Sequence, residues 1–208
     1  MNKQKIDTAL ILAAGFGKRM LPLTSNKPKP LIEVKNKPLI GHCINSLKKI
    51  GIKNIIVNVH YKSQQIVDYV KKLDSNIIIS NETKKILDTG GAIKQAFKLT
   101  KSKNLLVMNS DVFWDQYTSK SLRRLIDKFD PKIMDSFLMT TKIKNTFGYS
   151  GNGDFIKNVK NQIERFDNNS SKLPLVYCGV QIVNRNQYVN HKDDIFSANK
   201  IWDKNIKY

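Results

Sequence analysis

Apolar runs alternate with amphipathic stretches along the first half of the chain. Apolar or β-branched runs, which suit buried parallel strands, occupy residues 9–14, 54–59, 76–80 and 105–108. Residues 63–73 carry their apolar side chains on one helical face. Residues 38–50 begin with a proline and end just before Gly51, a start and stop typical of a helix. Strand and helix in alternation predict a parallel sheet with right-handed crossovers.

The second half of the chain has a different pattern. A helix is predicted at residues 119–129 and a further buried strand at 175–183. Short strands at 155–159 and 162–166 follow a turn rich in Gly and Asn, which indicates an antiparallel hairpin. We therefore predict that residues 1–208 form a single Rossmann-like domain of three α/β/α layers, with a mixed, mostly parallel sheet.

A loop that contains two glycines, Gly15 and Gly17, interrupts the first apolar run. Glycines let the backbone turn sharply and bring bare N–H groups near a ligand, a common way of holding phosphate oxygens. The cationic residues Lys18, Arg19 and Lys29 follow, on a loop whose three prolines should keep it stiff and out of helix. The combination indicates a phosphate clamp.

Two better-known phosphate motifs do not fit this loop. A Walker A loop needs a second glycine five residues after Gly15, followed by lysine, and Met20 stands at that position. A dinucleotide fingerprint needs a third glycine three residues after Gly17, and this is again Met20. The predicted phosphate-binding loop therefore belongs to neither of these two classes of motif.

Two later segments carry candidate ligand contacts. Thr89, Gly90 and Gly91 precede a predicted helix and would leave free N–H groups at its positive end, although a structural turn has the same appearance. Asp111 follows the strand at 105–108, where open α/β sheets bind ligands, although it could equally be a loop or capping residue.

The loops at residues 15–30, 81–91 and 109–115 each follow a predicted parallel strand. The carboxyl ends of parallel strands meet at one edge of a sheet. We therefore expect these three loops to open on the same edge and to form one nucleotide site.

Composition predicts a soluble cytoplasmic protein. The chain has 208 residues, of which 40% are hydrophobic, enough for one well-buried domain. It contains neither an apolar run of about eighteen residues nor a signal-peptide core. Cys43 and Cys178 lack metal-ligand spacing and are expected to be reduced thiols, and the three histidines form no ligand or triad pattern.

The formal net charge of +19 raises the question of nucleic-acid or membrane partners. Of the 36 basic residues 31 are lysines, which are spread along the chain beside 21 asparagines. This distribution indicates a compositional drift toward Lys and Asn rather than a basic stripe, and no base-reading motif accompanies it. We expect neither a nucleic-acid nor a membrane partner, and we expect the charge to gather anionic small molecules.

The strings GFGKRM and TSNKPKPL together closely resemble the opening signature of the sugar-1-phosphate nucleotidyltransferases. The resemblance implies that the nucleotide binds to the glycine-rich loop, and that Arg19 and Lys29 contact the reacting phosphates as catalytic residues. It also implies that Asp111 binds Mg²⁺. The implied nucleotide-binding positions are Ala13, Ala14, Gly15, Gly17, Lys18, Thr89, Gly90, Gly91 and Asn109.

The resemblance assigns residues 1–115 to the nucleotide and residues 116–208 to the sugar phosphate, with Gly148, Glu164 and Gly179 as substrate contacts. Family members usually carry a lysine where this chain has Arg165, and an arginine fork is not equivalent to an ammonium group. They also supply a second metal-binding aspartate from a W-x-D-x-G-T segment, which this chain lacks. Trp202–Asp203 belongs instead to a helix predicted at 197–207, so the sugar half is expected to be short at its C-terminus.

The implied reaction is sugar 1-phosphate plus nucleoside triphosphate giving nucleotide sugar plus pyrophosphate, in a monomer or homodimer that makes cell-wall or polysaccharide precursors. The strings LDTGGAI and NSDVFWD look most like the N-acetylmuramate-1-phosphate uridylyltransferase branch, with mannose-1-phosphate guanylyltransferases close behind. Two alternatives stay open. One is a cytidylyltransferase for a non-sugar phosphate such as phosphocholine, and the other is a catalytically weakened nucleotide-binding protein.

Overall fold

The computed structural model describes residues 6–112 and 118–206. Its strands are β1 (Thr8–Leu12), β2 (Glu33–Val34), β3 (Lys37–Pro38), β4 (Asn54–Val59), β5 (Ile78–Asn81), β6 (Asn104–Asn109), β7 (Ser136–Lys142), β8 (Phe155–Lys157), β9 (Ile163–Arg165) and β10 (Leu175–Asn184). Its helices are α1 (Leu39–Lys49), α2 (Ser63–Leu73), α3 (Asp88–Lys98), α4 (Thr118–Lys128), α5 (Arg185–Val189) and α6 (Ala198–Ile206). Within these two described ranges, no helix has the length and apolar character needed to cross a membrane.

The main sheet has a parallel half and an antiparallel half. Its strand order is β5-β4-β1-β6-β10-β8-β9, and β7 also pairs with β10. β1 lies parallel between β4 and β6, and β4 is parallel to β5. β10 runs antiparallel to β6, β7 and β8, and β8 forms a hairpin with β9. The predicted mixed sheet and the predicted hairpin are both confirmed.

Helices cover both faces of this sheet. Alternate residues of β1 point in opposite directions, so Ala9 and Ile11 join one apolar cluster and Leu10 joins the other. The first cluster includes side chains of α1, α2 and α4, and the second includes side chains of α3, α5 and α6. The predicted three-layer α/β/α arrangement is therefore confirmed.

Several boundaries differ from the sequence prediction for identifiable reasons. The apolar run at 9–14 stops being a strand at Leu12, because the N–H of Ala13 donates to the side-chain oxygen Oδ1 of Asn58 instead of to the backbone of a neighbouring strand. The proline-rich loop was predicted to be non-helical, but Lys29–Leu31 forms a single 3-10 turn. Pro30 suits the first turn of such an element, since its φ is already fixed near the helical value.

The segment after α5 packs against the first turn of α3. The N–H groups of Gly90 and Gly91 both donate to the carbonyl oxygen of Phe196, at 2.8 and 3.1 Å. Thr89 Oγ1 accepts from the N–H of Ala198 at 2.9 Å, and Lys94 Nζ donates to the carbonyl oxygen of His191 at 2.8 Å. A Cβ on Gly90 or Gly91 would collide with this segment. The two glycines thus allow the C-terminal segment to approach the helix backbone.

Gly91→Ala tests this packing. Alanine is favoured over glycine inside a helix by about 1 kcal/mol. The added Cβ would nevertheless meet the backbone oxygen of Asp194, and overpacking of this kind costs about 1–3 kcal/mol. We expect a net loss in the free energy of unfolding, measured by urea denaturation, whereas Gln95→Ala in the same helix should change it by less than about 0.5 kcal/mol. A Gly91→Ala variant more stable than the wild type would contradict the packing described here.

Candidate functional site

A cavity of about 420 Å³ opens at the carboxyl ends of the parallel strands. Its walls come from the loops after β1, β5 and β6, and the side chain of Asn58 in β4 contributes to its floor. The three loops predicted to open on one edge do so in their described parts; residues 113–117 lie outside the described residues. The edge is the ligand-binding edge of open α/β sheets.

Most of the predicted nucleotide-binding, catalytic and metal-binding positions line this cavity. They are Ala14, Gly15, Gly17, Lys18, Arg19, Lys29, Thr89, Asn109 and Asp111. Ala13 lies behind the wall, where its N–H is occupied by Asn58. The cavity therefore brings the glycine-rich loop, the proline-flanked lysine and the acidic strand end into one place.

Gly17 shapes the glycine-rich loop. Its φ of +67° is a left-handed conformation, and a Cβ there would lie 2.9 Å from Thr24 Cγ2 and 3.1 Å from Lys29 Cβ. Thr24 Oγ1 also donates to the carbonyl oxygen of Gly17 at 3.0 Å. The loop consequently folds back on itself, and its two ends bring Lys18 and Lys29 to the same cavity.

Side chains on the loop after β4 and on α2 hold the outer part of the glycine-rich loop. The ring of Phe16 packs edge-on against His60, with centroids 5.3 Å apart, and at a tilt against Tyr61. The hydroxyl of Tyr61 donates to the carbonyl oxygen of Thr24 at 3.3 Å, and Gln65 Nε2 donates to that of Asn26 at 3.1 Å. None of these anchors was predicted, because they join segments about forty residues apart in the chain.

Lys29 and Asp111 form an ion pair in the cavity wall. Lys29 Nζ lies 2.6 Å from Asp111 Oδ2, and the two side chains keep 23% and 33% of their surface exposed. Each charge is therefore neutralised by the other while both stay within reach of solvent. Two groups predicted to act on phosphates from different loops are thus adjacent.

The donor set at Asp111 can be compared with the needs of Mg²⁺. Among residues 6–112 and 118–206, no cluster of three or more acidic, histidine or cysteine side chains could hold a metal ion by itself. Mg²⁺ commonly takes one or two carboxylates and completes its shell with phosphate oxygens and water. The partly exposed carboxylate of Asp111 in the cavity wall fits this kind of coordination, and does not fit a metal held by protein ligands alone.

A buried polar chain lies under the cavity and was not predicted. Asn58 Oδ1 accepts from the N–H of Ala13 at 2.7 Å, and Asn58 Nδ2 donates to Glu82 Oε1 at 2.8 Å. The other carboxylate oxygen accepts from the N–H of Leu87 at 3.1 Å. Burial raises the pKa of Glu82 above its ordinary value, and the hydrogen bonds from Asn58 and Leu87 oppose that rise. The only hint in the sequence is a polar residue, Asn58, inside an otherwise apolar strand.

The prediction for Gly90 and Gly91 needs correction. Both lie inside the first turn of α3, which begins at Asp88, rather than before the helix. Their N–H groups are not free, because Phe196 accepts from both, and neither glycine lines the cavity. Asp88 and Thr89 are the residues of this turn that reach the cavity wall.

The three predicted sugar-phosphate positions do not line the cavity. Gly148 lies in an exposed loop, and Glu164 accepts from Asn158 Nδ2 at 3.0 Å. Gly179, with a φ of +70°, is the nearest of the three to the cavity, since a Cβ there would lie 3.2 Å from Asn109 Nδ2. The bulge that β10 forms between Tyr177 and Gln181 contains this glycine.

Arg165 and Asp203 belong to a contact between the hairpin and α6. Arg165 Nε donates to Asp203 Oδ1 at 2.7 Å, and its terminal nitrogen donates to Asn199 Oδ1 at 2.8 Å. The guanidinium also lies 4.9 Å from the ring centroid of Phe155. The arginine that stands at this position instead of lysine thus has a structural role, and the carboxylate of Asp203 is already engaged in an ion pair.

Both cysteines are free thiols, and Cys43 lies beside the site. Burial, assisted by the negative charge of Asp111, raises the pKa of Cys43 to about 12. The thiol is therefore protonated at neutral pH and donates to the carbonyl oxygen of Asn109 at 3.7 Å. It supports the end of β6, and a buried, protonated thiol is a poor nucleophile.

The chain resembles known nucleotidyltransferases in sequence and in structure. It is 33% identical to the N-acetylmuramate alpha-1-phosphate uridylyltransferase of Caulobacter vibrioides over 201 residues, which cover 94% of this chain and 83% of that protein. It is 41% identical to the mannose-1-phosphate guanyltransferase 2 of Candida glabrata over 119 residues, 54% of this chain and only 32% of that protein. The solved inositol-1-phosphate CTP transferase of T. maritima has the same fold, with a TM-score of 0.75 at 17% identity, over 99% of this chain and 83% of that one.

The family model described as nucleotidyl transferase matches residues 8–178, which include every residue placed above in the cavity wall. With that match over most of its length and a relative 33% identical along nearly all of it, the chain belongs to the nucleotidyl transferase family.

Proposed function

We propose that this chain transfers a nucleotidyl group from a nucleoside triphosphate to a sugar 1-phosphate and releases pyrophosphate. The substrate pair is UTP with N-acetylmuramate 1-phosphate or GTP with mannose 1-phosphate, in keeping with the names of the relatives. The observation that carries the proposal is the cavity in which a glycine-rich loop, Lys29 and Asp111 meet at the carboxyl edge of the sheet. Such a cavity suits a ligand with a chain of phosphates.

In the proposed reaction an oxygen of the sugar phosphate attacks the α-phosphorus of the nucleotide. The new P–O bond forms as the bond from that phosphorus to the pyrophosphate oxygen breaks, and the electron pair leaves with pyrophosphate. The nucleophile is already ionised at neutral pH, so no general base is required. The barrier comes chiefly from bringing two anions together, which positioned cations and N–H groups lower.

The predicted catalytic, metal-binding and sugar-phosphate residues and the two loop glycines each have a part in this scheme. The N–H groups around Gly15 and Gly17 hold phosphate oxygens, and Arg19 binds the phosphates that leave. Lys29 screens the charge between the attacking phosphate and the α-phosphate. A bound Mg²⁺, held by Asp111 and by phosphate oxygens, would supply further charge neutralisation. Gly148, Glu164 and Gly179 remain the proposed contacts for the sugar phosphate.

A second candidate function is nucleotide binding with little or no transfer. The observation that favours it is that residues 6–112 and 118–206 contain no cluster able to hold a metal ion without help from a ligand. Such a protein would bind nucleoside triphosphate through the same loops but would release no pyrophosphate.

A substrate panel tests the proposal. We expect Mg²⁺-dependent pyrophosphate release when UTP is combined with N-acetylmuramate 1-phosphate or GTP with mannose 1-phosphate. The comparison set contains CTP and dTTP as nucleotides, glucose and N-acetylglucosamine 1-phosphates as acceptors, and phosphocholine with CTP. Nucleotide binding without pyrophosphate release for every pair would support the second candidate. Pyrophosphate release only with CTP and phosphocholine would show that the acceptor is phosphocholine and not a sugar phosphate.

Lys29→Ala should lower turnover about 100-fold or more, because a single preorganised charge that stabilises the transition state contributes on that scale. Steady-state pyrophosphate release measures it. The matched control is Lys27→Ala, which removes a lysine of the same loop that pairs with Glu33 and is far more exposed. Near-normal turnover in Lys29→Ala would remove this residue from the mechanism.

Asp111→Ala should also lower turnover about 100-fold or more, with a higher Mg²⁺ concentration needed for half-maximal rate. Magnesium titrations of pyrophosphate release give both quantities. Asp203→Ala is the control, because it removes an aspartate that pairs with Arg165 outside the cavity wall. If Asp203→Ala lost activity while Asp111→Ala kept it, the metal assignment would move to Asp203.

A further inference from the structure

The buried pair Asn58 and Glu82 joins strand β4 to two loops of the cavity. Both residues retain only 3% of their surface. Asn58 reaches the N–H of Ala13, two residues before Gly15, and Glu82 reaches the N–H of Leu87, just before the first turn of α3. The loops after β1 and β5 are therefore connected to each other and to β4 by side chains as well as by the sheet.

The hydrogen-bonding polarity of this chain of contacts is fixed at both ends. The backbone groups of Ala13 and Leu87 are N–H donors, and neither can reverse. Between them, the two side chains must supply three acceptors and one donor. One amide and one carboxylate meet that requirement. Two amides would set donor against donor, and two carboxylates would set acceptor against acceptor in a buried place.

The same residues also connect to the outer wall of the site. The carbonyl oxygen of Glu82 is 2.7 Å from Nδ1 of His60, whose ring packs against Phe16 in the glycine-rich loop. A change at Glu82 therefore reaches that loop by two routes, through Asn58 and Ala13 and through His60 and Phe16. The arrangement is suited to setting the loop geometry before a ligand arrives.

We propose that Asn58 and Glu82 are a positioning pair that holds the glycine-rich loop and the start of α3 in their nucleotide-binding geometry. The two residues lie in the cavity wall with only 3% of their surface exposed, and the pair acts through the order of its donors and acceptors. This inference rests on the proposed function, since it concerns affinity for a nucleoside triphosphate.

Exchanging the two groups tests the pair. Asn58→Asp alone places two acceptors face to face, and Glu82→Gln alone places two donors face to face. The double variant Asn58→Asp with Glu82→Gln restores three acceptors and one donor, keeps the net charge and leaves both side-chain lengths unchanged. We expect each single variant to bind UTP or GTP at least about tenfold more weakly, and the exchanged variant to return to within about threefold of the wild type.

The measurements are the dissociation constant of each nucleotide by calorimetry, KM and kcat for pyrophosphate release, and the midpoint of thermal unfolding. A positioning role raises KM for the nucleotide more than it lowers kcat. The exposed amide–carboxylate pair on α2 is the matched control, since Gln64 Nε2 donates to Asp68 Oδ1 at 2.7 Å at the surface. Gln64→Glu and Asp68→Asn, singly or together, should leave nucleotide affinity unchanged.

The outcomes separate this inference from the proposed function. Full affinity in the single variants overturns it, and so does an exchanged variant that regains its unfolding midpoint without regaining affinity. If the single variants do not fold, the exchanged variant carries the test alone: near-wild-type affinity supports the pair and lost affinity overturns it. A wild type that binds nucleotide without releasing pyrophosphate rejects only the proposed reaction, and one that binds no nucleoside triphosphate rejects both.

Discussion

Parallel pairing of β1 with β4 and β6 is the constraint on which the site depends. Its register sets Leu12 beside Asn58 on one side and beside Asn109 on the other. The three strands end at the same level, so the loops after β1 and β6 and the side chain of Asn58 share one cavity. A shift by one residue would turn each strand over and exchange the faces that now pack under α1 and α3. The register thus fixes the core and the site together.

The carboxyl edge of the sheet also carries a buried acidic group, and burial opposes the ionisation of this group. Glu82 is buried because its carboxylate must reach two N–H donors, and this burial raises its pKa above the ordinary value of 4.5. A raised pKa in the folded chain means that this group favours folding most at low pH, and that this contribution is lost as pH rises through the folded pKa. The ionised form that completes the polar chain is therefore held at a cost in stability, as is common at functional sites.

Local signals predicted the elements better than they predicted the contacts between them. The strand Asn54–Val59 and the helix Ser63–Leu73 have the boundaries that their apolar patterns indicate, since periodicity alone determines them. The short hairpin of β2 and β3 has no such signal. Its turn residues Lys35 and Asn36 both take positive φ, a conformation for which a glycine would have been the usual indication.

The same distinction applies within the site. The location of Lys29 and Asp111 in the cavity wall could be predicted, because a proline-flanked lysine and an acidic residue at the end of a strand can each be recognised in the local sequence. The hydrogen bond between Asn58 and Glu82 depends on the pairing of β4 with β5, and the use of Gly90 and Gly91 depends on where Phe196 docks. These facts are properties of the assembled chain, and neither composition nor spacing encodes them.

The docking of Phe196 on α3 also shows that the end of the family-model match and the end of the folded unit lie at different residues. The family model ends at residue 178, yet Phe196, Ile201 and Trp202 are buried in the core, and Phe196 closes the helix turn that adjoins the cavity. A fragment cut at the end of the family-model match would expose that core face and release the first turn of α3. The segment of chain that folds as a unit is thus longer than the segment that the family model matches.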